Sequence, residues 1–292
     1  MSDPDTPTAA RPDHATNEAA FSIQMARDAQ DCRRASDLLN LVWQMPPGQD
    51  VLELSTLVAY VHSGCYVTSA VEAGTGTVVA ASVAFFGPPG TSLHSHITGV
   101  HPAWAGQGVG RAMKEHQREW CRTRGVQAIT WTFDPLVARN AFFNLNVLGA
   151  RVTGFLPDHY GPMNDGRNAG HGSDRLMVTW DLTTSPTVTT HQIPADAYLA
   201  SSSGPRRHVA VADRSGQPGT PDTSVPAACE EVEIALPRDI ETLREADPET
   251  ATAWRARLRE VLPFLLSSGW QVDRFESPGR YVLTRNPRQV DP

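Results

Sequence analysis

A mixed α/β (α+β) chain with a largely antiparallel sheet, followed by a smaller C-terminal β-α-β-β domain, is what three features of the sequence predict. Runs that alternate with a two-residue period interleave with runs of helical apolar spacing between Phe21 and Leu182. Within that region a strand leads through Val100, His101 and Pro102 into a glycine-rich turn and straight into an amphipathic helix. A polar stretch, residues 183–229, then separates the region 21–182 from a second ordered one, 230–292. The chain of 292 residues has room for two domains of roughly 150 each.

Residues 1–20 show no apolar periodicity and are expected to form a disordered tail. FSIQMA alternates as a short strand. The next run places Ala35, Leu38, Leu39 and Val42 on one helical face and stops near Pro46 and Pro47. A second helix is predicted through LSTLVAYVHSG, with Gly64 as its terminator. Three strands follow, CYVTSAVEA, TVVAASVAFFG and SLHSHITGVHP, the first two joined by a hairpin turn at Gly74, Thr75 and Gly76. After HPAWAGQGVG comes a helix with Val109, Ala112, Met113, His116 and Trp120 as its buried stripe. Arg111, Lys114, Glu115, Arg118 and Glu119 mostly fall on the other face.

AITWTF is a strand, Asp134 and Pro135 start a short helix through ARNAFFNLNVLGA, and RVTGFL and DRLMVTWDL are two more strands. Residues 183–229, rich in Ser, Thr, Pro, Gly and Asp, read as a linker or a long irregular excursion, with HVAVAD as one candidate strand. The C-terminal domain opens on the strand VEIAL. Its helix is capped by Asp247, has Pro248 at the first position, and carries Trp254, Leu258, Val261, Leu262 and Leu265 as a stripe. Two strands, QVDRFE and RYVLTR, close it around a Pro-Gly turn. With few apolar faces of its own, this domain is expected to pack on the first one or on a partner subunit.

The formal charge of −7 argues against a nucleic-acid binder, which needs a basic face; it leaves room for a local basic pocket. The four cysteines are scattered, which suits a reducing compartment better than a disulfide framework. The chain opens without a basic and then apolar leader. Its longest apolar run, Val78 to Phe86, is well short of the ~18 residues of a membrane span. A cytoplasmic protein with neither membrane nor nucleic-acid partners is the expectation.

The segment that carries chemistry is LHSHITGVHPAWAGQGVGRAMKEHQREW. Gly106, Gly108 and Gly110 let the backbone approach a ligand closely, and first-turn amides have no intrahelical partner. With the positive end of the helix dipole they make an anion site suited to a pyrophosphate, and Arg111 adds a fixed charge. A Walker loop is absent. A dinucleotide fingerprint needs G-x-G-x-x-G after a first strand; here the spacing is G-x-G-x-G and the turn follows the fourth strand.

The order of elements over residues 21–182 resembles the GNAT acyltransferase fold, and the turn resembles that superfamily's pyrophosphate loop, [RQ]-x-x-G-x-[GA]. Two positions depart. Ala105 stands where the family has Arg or Gln, and Leu145 where it often has the tyrosine that protonates the departing thiolate. A closer likeness, through ITWTFDPLVARNAFFNLNVLGA, HYGPMNDGRNAG, SDRLMVTWDL and DPETATAWRARLRE, is to a branch associated with N-acylation, including N-succinylation, of amino acids. The resemblance implies transfer of an acetyl or succinyl group from acyl-CoA to a primary amine of a small molecule by direct attack on the thioester, an activity of the EC 2.3.1 type.

It implies that the backbone of Gly99 and Val100 binds the pantetheine arm in a gap between the fourth and fifth strands. The amides of Gly106, Gln107, Gly108, Val109, Gly110 and Arg111 would hold the pyrophosphate, and Asn140 would reach the arm or simply serve its own helix terminus. His96, on the side of its strand that also carries His94, is the candidate general base, with a packed histidine as the plainer reading. Tyr160 is the candidate acid, or a loop anchor. Asp134 is placed to orient an amine, or to start a helix. Arg175 is placed to pair with a carboxylate of acceptor or acyl group, or to make a structural ion pair; Arg139 shares that ambiguity. No carboxylate or cysteine completes a ligand set with the two histidines, so no metal is expected. Acetyl-CoA or another acyl-CoA, succinyl-CoA among them, is the expected co-substrate, and a homodimer is one possible assembly. The rival reading is a non-catalytic acyl-CoA-binding or assembly protein; a weaker one is a nicotinamide-dependent oxidoreductase.

Overall fold

The computed structural model describes residues 20–87, 91–168, 170–183, 207–214 and 216–285. The tail expected over 1–20 lies outside the described residues except for Ala20. So does the stretch from 184 to 206.

The N-terminal domain is built on one seven-stranded sheet. Its strands are β1 (Phe21–Met25), β2 (Tyr66–Glu72), β3 (Val78–Phe86), β4 (Ser92–Val100), β5 (Ala128–Phe133), β6 (Arg151–Leu156) and β7 (Arg175–Asp181), in the spatial order β1-β2-β3-β4-β5-β7-β6. Every neighbouring pair is antiparallel except β4 and β5. Helices α1 (Ala29–Trp43) and α2 (Leu54–His62) cover one face, where Leu39, Val42 and Leu57 pack with Val67, Ala81, Val83 and Ile97. Helix α3 (Val109–Arg122) covers the other, its Val109 and Met113 against Ala70 and Ala80. Asp28 caps α1, its carboxylate accepting from the Asp31 amide.

The helix expected to start at Asp134 begins later: α4 spans Ala138–Phe142 and passes into a π-turn, Phe143–Val147. Asp134 accepts from the Leu136 amide but does not cap that helix, whose N-cap is Val137.

The C-terminal domain is larger than the sequence pattern implied. Strand β8 (Arg207–Val211), inside the stretch read as linker, pairs in parallel with β11 (Glu231–Ala235). Two short strands, β9 (Asp213–Arg214) and β10 (Gln217–Pro218), form a hairpin beside it. With β12 (Gln271–Glu276) and β13 (Arg280–Thr284) the four-stranded order is β12-β13-β11-β8. A short helix, α5 (Ile240–Ala246), precedes the expected long one, α6 (Pro248–Ser267), which Asp247 caps as predicted. The candidate strand HVAVAD is borne out by β8, but its partner β11 lies 24 residues away in sequence, and local pattern carries no record of such a pairing.

One continuous core joins the two domains. Ile129, Trp131, Phe133 and Leu176 belong to the same buried cluster as Trp254, Leu258, Leu262 and Tyr281. The expectation that the C-terminal unit packs on the first domain is met. Polar contacts follow the seam: Tyr281 donates to the Pro135 carbonyl (2.8 Å) and Asn146 to that of Phe275 (2.8 Å). Among the described residues, no helix is long and apolar enough to cross a membrane.

Candidate active site

Strands β4 and β5 are hydrogen-bonded over only three residue pairs, Ser92 to Ala128, Leu93 to Ile129 and His94 to Thr130. From Ser95 onward the β4 edge turned toward β5 has no ladder partner, which opens a gap in the sheet. Opposite β3 the register slips: Ala84 pairs with Ser95 but Val83 with Ile97, so His96 is the extra residue of a β-bulge. A bulge re-aims side chains. It leaves Ser95 on the α3 face and Ile97 on the α1 face.

At the far end of β4 the chain makes a 3-10 turn, Pro102–Trp104, and enters the glycine loop. Gly106 (φ 76°) and Gly108 (φ 82°) are left-handed, a conformation that side chains with a Cβ resist. A Cβ on either would meet nothing within 4 Å, so both face open space. Gly108 is the N-cap of α3 and offers no side-chain cap; the first turn holds no acidic residue. The amides of Gly108, Val109, Gly110 and Arg111 therefore point out unpaired, and the exposed Arg111 stands beside them. Gln107 differs from its neighbours: its amide donates to the Trp104 carbonyl at 3.4 Å and its side chain to that of Ala103 at 2.8 Å. Its contribution to an anion site is correspondingly smaller than that of Gly108 or Val109.

Gly99 and Val100 lie on β4 above the gap, paired on the other side with Ala81 and Ala80. At Gly99 a Cβ would stand 2.7 Å from the Trp43 ring, so α1 seats directly on the backbone there. Asn140, in the first turn of α4, has its side chain without a hydrogen-bond partner among the described residues. An acyl-CoA fits this construction: the loop amides and Arg111 suit the pyrophosphate, and the unpaired edge of β4 suits the amides of a pantetheine arm.

On the α1/α2 face, a row of side chains crosses the sheet at the gap. Phe85 lies 5.3 Å from His94 and 5.7 Å from His96 between ring centroids, and Tyr60 flanks it at 5.8 Å. His94 Nδ1 is 3.2 Å from Thr130 Oγ1. Burial, with His96, His159 and Lys114 nearby, pushes the His94 pKa down to about 4; burial alone lowers that of His96. Both rings are thus neutral near pH 7 and able to accept a proton. Tyr160 places its hydroxyl 3.0 Å from Thr132 Oγ1, and the Arg175 guanidinium lies over its ring at 5.3 Å. Arg175 is buried, yet among the described residues it bonds only the Asp174 carbonyl and the Met163 sulfur. No carboxylate forms an ion pair with it among the described residues.

Asp134 stands apart from this row. Its buried carboxylate takes Arg244 at 2.6 Å and Arg255 at 2.7 Å, so it is committed to the inter-domain seam and is not offered to an amine. Burial pushes its pKa up, but Arg255, Arg244 and Arg175 together hold it below the ordinary carboxylate range. Arg139 is likewise taken, by Glu241. Trp131 and Phe133 are core residues, whereas Phe142 is exposed. Cys121 is buried and its thiol is pushed up to about 12 by that burial, which suits no nucleophile. No group of three or more metal-ligating side chains occurs among the described residues.

One residue assigned by pattern to the outer face of α3 lies inside. Lys114 is fully buried against the gap: its Nζ donates to Ser95 Oγ at 2.8 Å, sits 3.5 Å from Gln117 Oε1 and lies 4.1 Å from the Trp131 ring centroid. The signal that places it is its seven-residue spacing from Cys121, two helical turns away on the buried side.

A sheet opened between two parallel strands, beside a helix whose glycine-capped N-terminus presents free amides, is the framework of an acyl-CoA-dependent N-acyltransferase. Residues 27–146 match the family model for the acetyltransferase (GNAT) family. Acyl transfer from acetyl-CoA to an amine is the reaction of that family. Similar solved structures include the ribosomal-protein-S18-alanine N-acetyltransferase from Escherichia coli, 15% identical over 57% of this chain and 97% of that one, with a TM-score of 0.45. An N-acetyltransferase from Staphylococcus aureus is 13% identical over 56% of this chain and 99% of its own, with a TM-score of 0.45. A proposed acetyltransferase from Salmonella typhimurium, solved with its cofactor acetyl-CoA, is 18% identical over 57% and 96%, with a TM-score of 0.46. No curated protein matches the chain.

Proposed function

We propose that this protein acylates the primary amine of a small, carboxylate-bearing acceptor, a free amino acid being the leading case, with acetyl-CoA or succinyl-CoA as donor. The observation that carries the reading is the polar row at the β4–β5 gap, which puts a neutral imidazole and a guanidinium that no described carboxylate contacts directly on one face while the anion-binding loop serves the other. Gly106, Gly108, Val109, Gly110 and Arg111 hold the pyrophosphate, with Gln107 closing the turn; Gly99, Val100 and Asn140 hold the arm. His96 takes a proton from the incoming ammonium. A backbone amide at the bulge polarises the acyl carbonyl. Tyr160 and Arg175 meet the acceptor, Arg175 through its carboxylate, since a buried guanidinium with no carboxylate in direct contact among the described residues is a ready partner for one.

The test is a thermal shift with CoA, acetyl-CoA, succinyl-CoA and NADPH, followed by turnover with a panel of amino acids and their decarboxylated amines. Stabilisation by the CoA species alone, and acylation of amino acids in preference to the amines, is expected. Stabilisation by NADPH alone, or equal turnover of amino acids and plain amines, overturns the donor or the acceptor assignment respectively. Ala105 and Leu145 favour a second reading, binding of acyl-CoA without turnover; CoA-dependent stabilisation with no acylated product in the panel is its signature.

A further inference from the structure

Lys114 is buried on α3 and forms no ion pair among the described residues. Its three N–H groups meet a single good acceptor, Ser95 Oγ at 2.8 Å, and a long contact to Gln117 Oε1 at 3.5 Å. Beside it Gln117 Nε2 is buried with no partner at all. A buried, donor-rich pair of side chains with fewer acceptors than N–H groups is expensive unless a further acceptor arrives. Ser95 fixes where that happens. It is the first β4 residue past the last β4–β5 pair, on the α3 face, whereas His94 and His96 approach Phe85 on the opposite face. The gap thus has a proton acceptor on one side of the sheet and a proton donor on the other.

We propose that Lys114, acting through Ser95 Oγ, is the proton source for the departing thiolate of the acyl donor. This rests on the function proposed above. The acceptor nitrogen bonds to the acyl carbon as the carbon–sulfur bond breaks. The ammonium loses two protons in all, one before attack and one as the new bond completes, and His96 accepts each in turn and passes it to water. Lys114 supplies the single proton the sulfur needs by way of the Ser95 hydroxyl, and regains it from water, so one proton is released per turnover. Burial pushes the Lys114 pKa down to about 7, low enough to release a proton to a thiolate. The groups that titrate around it are Cys121 on the same helix and His94 on β4. Tyr66 of β2 and His116 hydrogen bond each other at 2.9 Å, Arg118 on the next turn pairs with Glu115, and neither β3 nor β5 carries an ionisable side chain.

The test needs CoA alone. Thermal shift establishes that wild type and Lys114→Met bind it, and the thiolate absorbance of the bound CoA is then followed against pH. The thiol is expected to ionise about 1–3 pH units lower in wild type than in Lys114→Met. Superimposable titrations in the two CoA-loaded proteins overturn the assignment and leave the proposed function standing. Failure of wild type to bind CoA removes that function and this assignment together. Ser95→Ala is the second variant, for the case in which Lys114→Met does not fold. Its turnover with acyl-CoA is expected to fall about 10²-fold, while an acyl thioester of an acidic aromatic thiol, whose leaving group needs no proton, is spared. Equal losses with both donors count against the relay, as does a Tyr160→Phe variant that alone abolishes the acyl-CoA reaction and spares the aromatic thioester.

Discussion

At position 114 a lysine occupies a site that apolar packing alone would give to methionine or leucine, and its energetics are testable without substrate. Its folded pKa of about 7 lies below the roughly 10.4 of an exposed lysine. Between those values the unfolded chain binds the extra proton, so this group makes stability rise with pH across that window; below about pH 7 its burial penalty is felt in full. Lys114→Met is therefore expected to melt higher than wild type at pH 6, each kcal/mol recovered adding roughly 2–4 °C, and to converge on wild type as pH approaches 10. A melting series at four pH values checks this, and a uniformly lower Tm for the variant contradicts it. His96 gives the complementary prediction on turnover. His96→Gln keeps a polar side chain of similar size without the ring's basicity, and kcat should drop about 10²-fold near neutrality, recovering at a pH where the acceptor amine is already neutral.

The strand, loop and helix that form the anion site work as one element. Gly108 carries φ 82° and caps α3 with nothing but backbone. Gly108→Ala meets no neighbouring atom, so it acts through the left-handed conformation, at about 1–2 kcal/mol, and through the methyl it puts where the pyrophosphate would lie. A loss of CoA affinity of roughly tenfold or more, out of proportion to a small drop in Tm, is expected by calorimetric titration. Gly99→Ala, on β4, should do the reverse. Its Cβ would lie 2.7 Å from the Trp43 ring, displacing α1 from the sheet, and overpacking of that kind costs about 1–3 kcal/mol. Stability falls first there, measured by urea unfolding, and binding falls only as a consequence. The glycine loop was legible in the sequence because its chemistry is local: three glycines, a helix start and a preceding strand within a dozen residues. The bulge at His96 was not, since it exists only relative to β3.

Across the molecule, the second domain holds the first in register through buried charge. Asp134, at the end of β5, receives Arg244 and Arg255, and Asp174 receives Arg259 at 2.6 Å. Asp134→Ala leaves the buried Arg244 without its anion and Arg255 with only the longer contact to Asp174 at 3.7 Å. Removal of one partner of a buried pair costs about 3–5 kcal/mol, so a large fall in unfolding free energy is expected. The pH sign follows from the direction of the shift. The folded pKa of Asp134 lies below its unfolded value, so its contribution is present above the unfolded pKa of about 3.9 and is lost as pH falls through the folded one. Wild type should lose stability over that acidic range more steeply than Asp134→Asn. Because Trp131, Phe133 and Leu176 share a core with Trp254 and Leu262, a chain ending at residue 183 exposes a large apolar face. It should aggregate or remain unfolded; a cooperative melt of that fragment would show that the two sheets are separable.

The sequence by itself determined the local chemistry of this protein. Helical stripes, strand alternation, the Asp247 cap and the glycine turn each depend on residues within a few positions of one another, and they were enough to indicate an α+β region with an anion-binding turn and a second ordered region behind it; acyl transfer was implied by the resemblance of that order and turn to the GNAT fold. The tertiary structure alone decided which charges are spent and which are free. Asp134 reads as a helix-start residue or an amine ligand until Arg244 and Arg255, more than a hundred residues away, take its carboxylate. Lys114 reads as a solvated charge until Ser95 and Trp131 close over it. Periodicity records which face of a helix is apolar on average. The cost of burying a particular charge depends on partners that only the folded chain brings within reach.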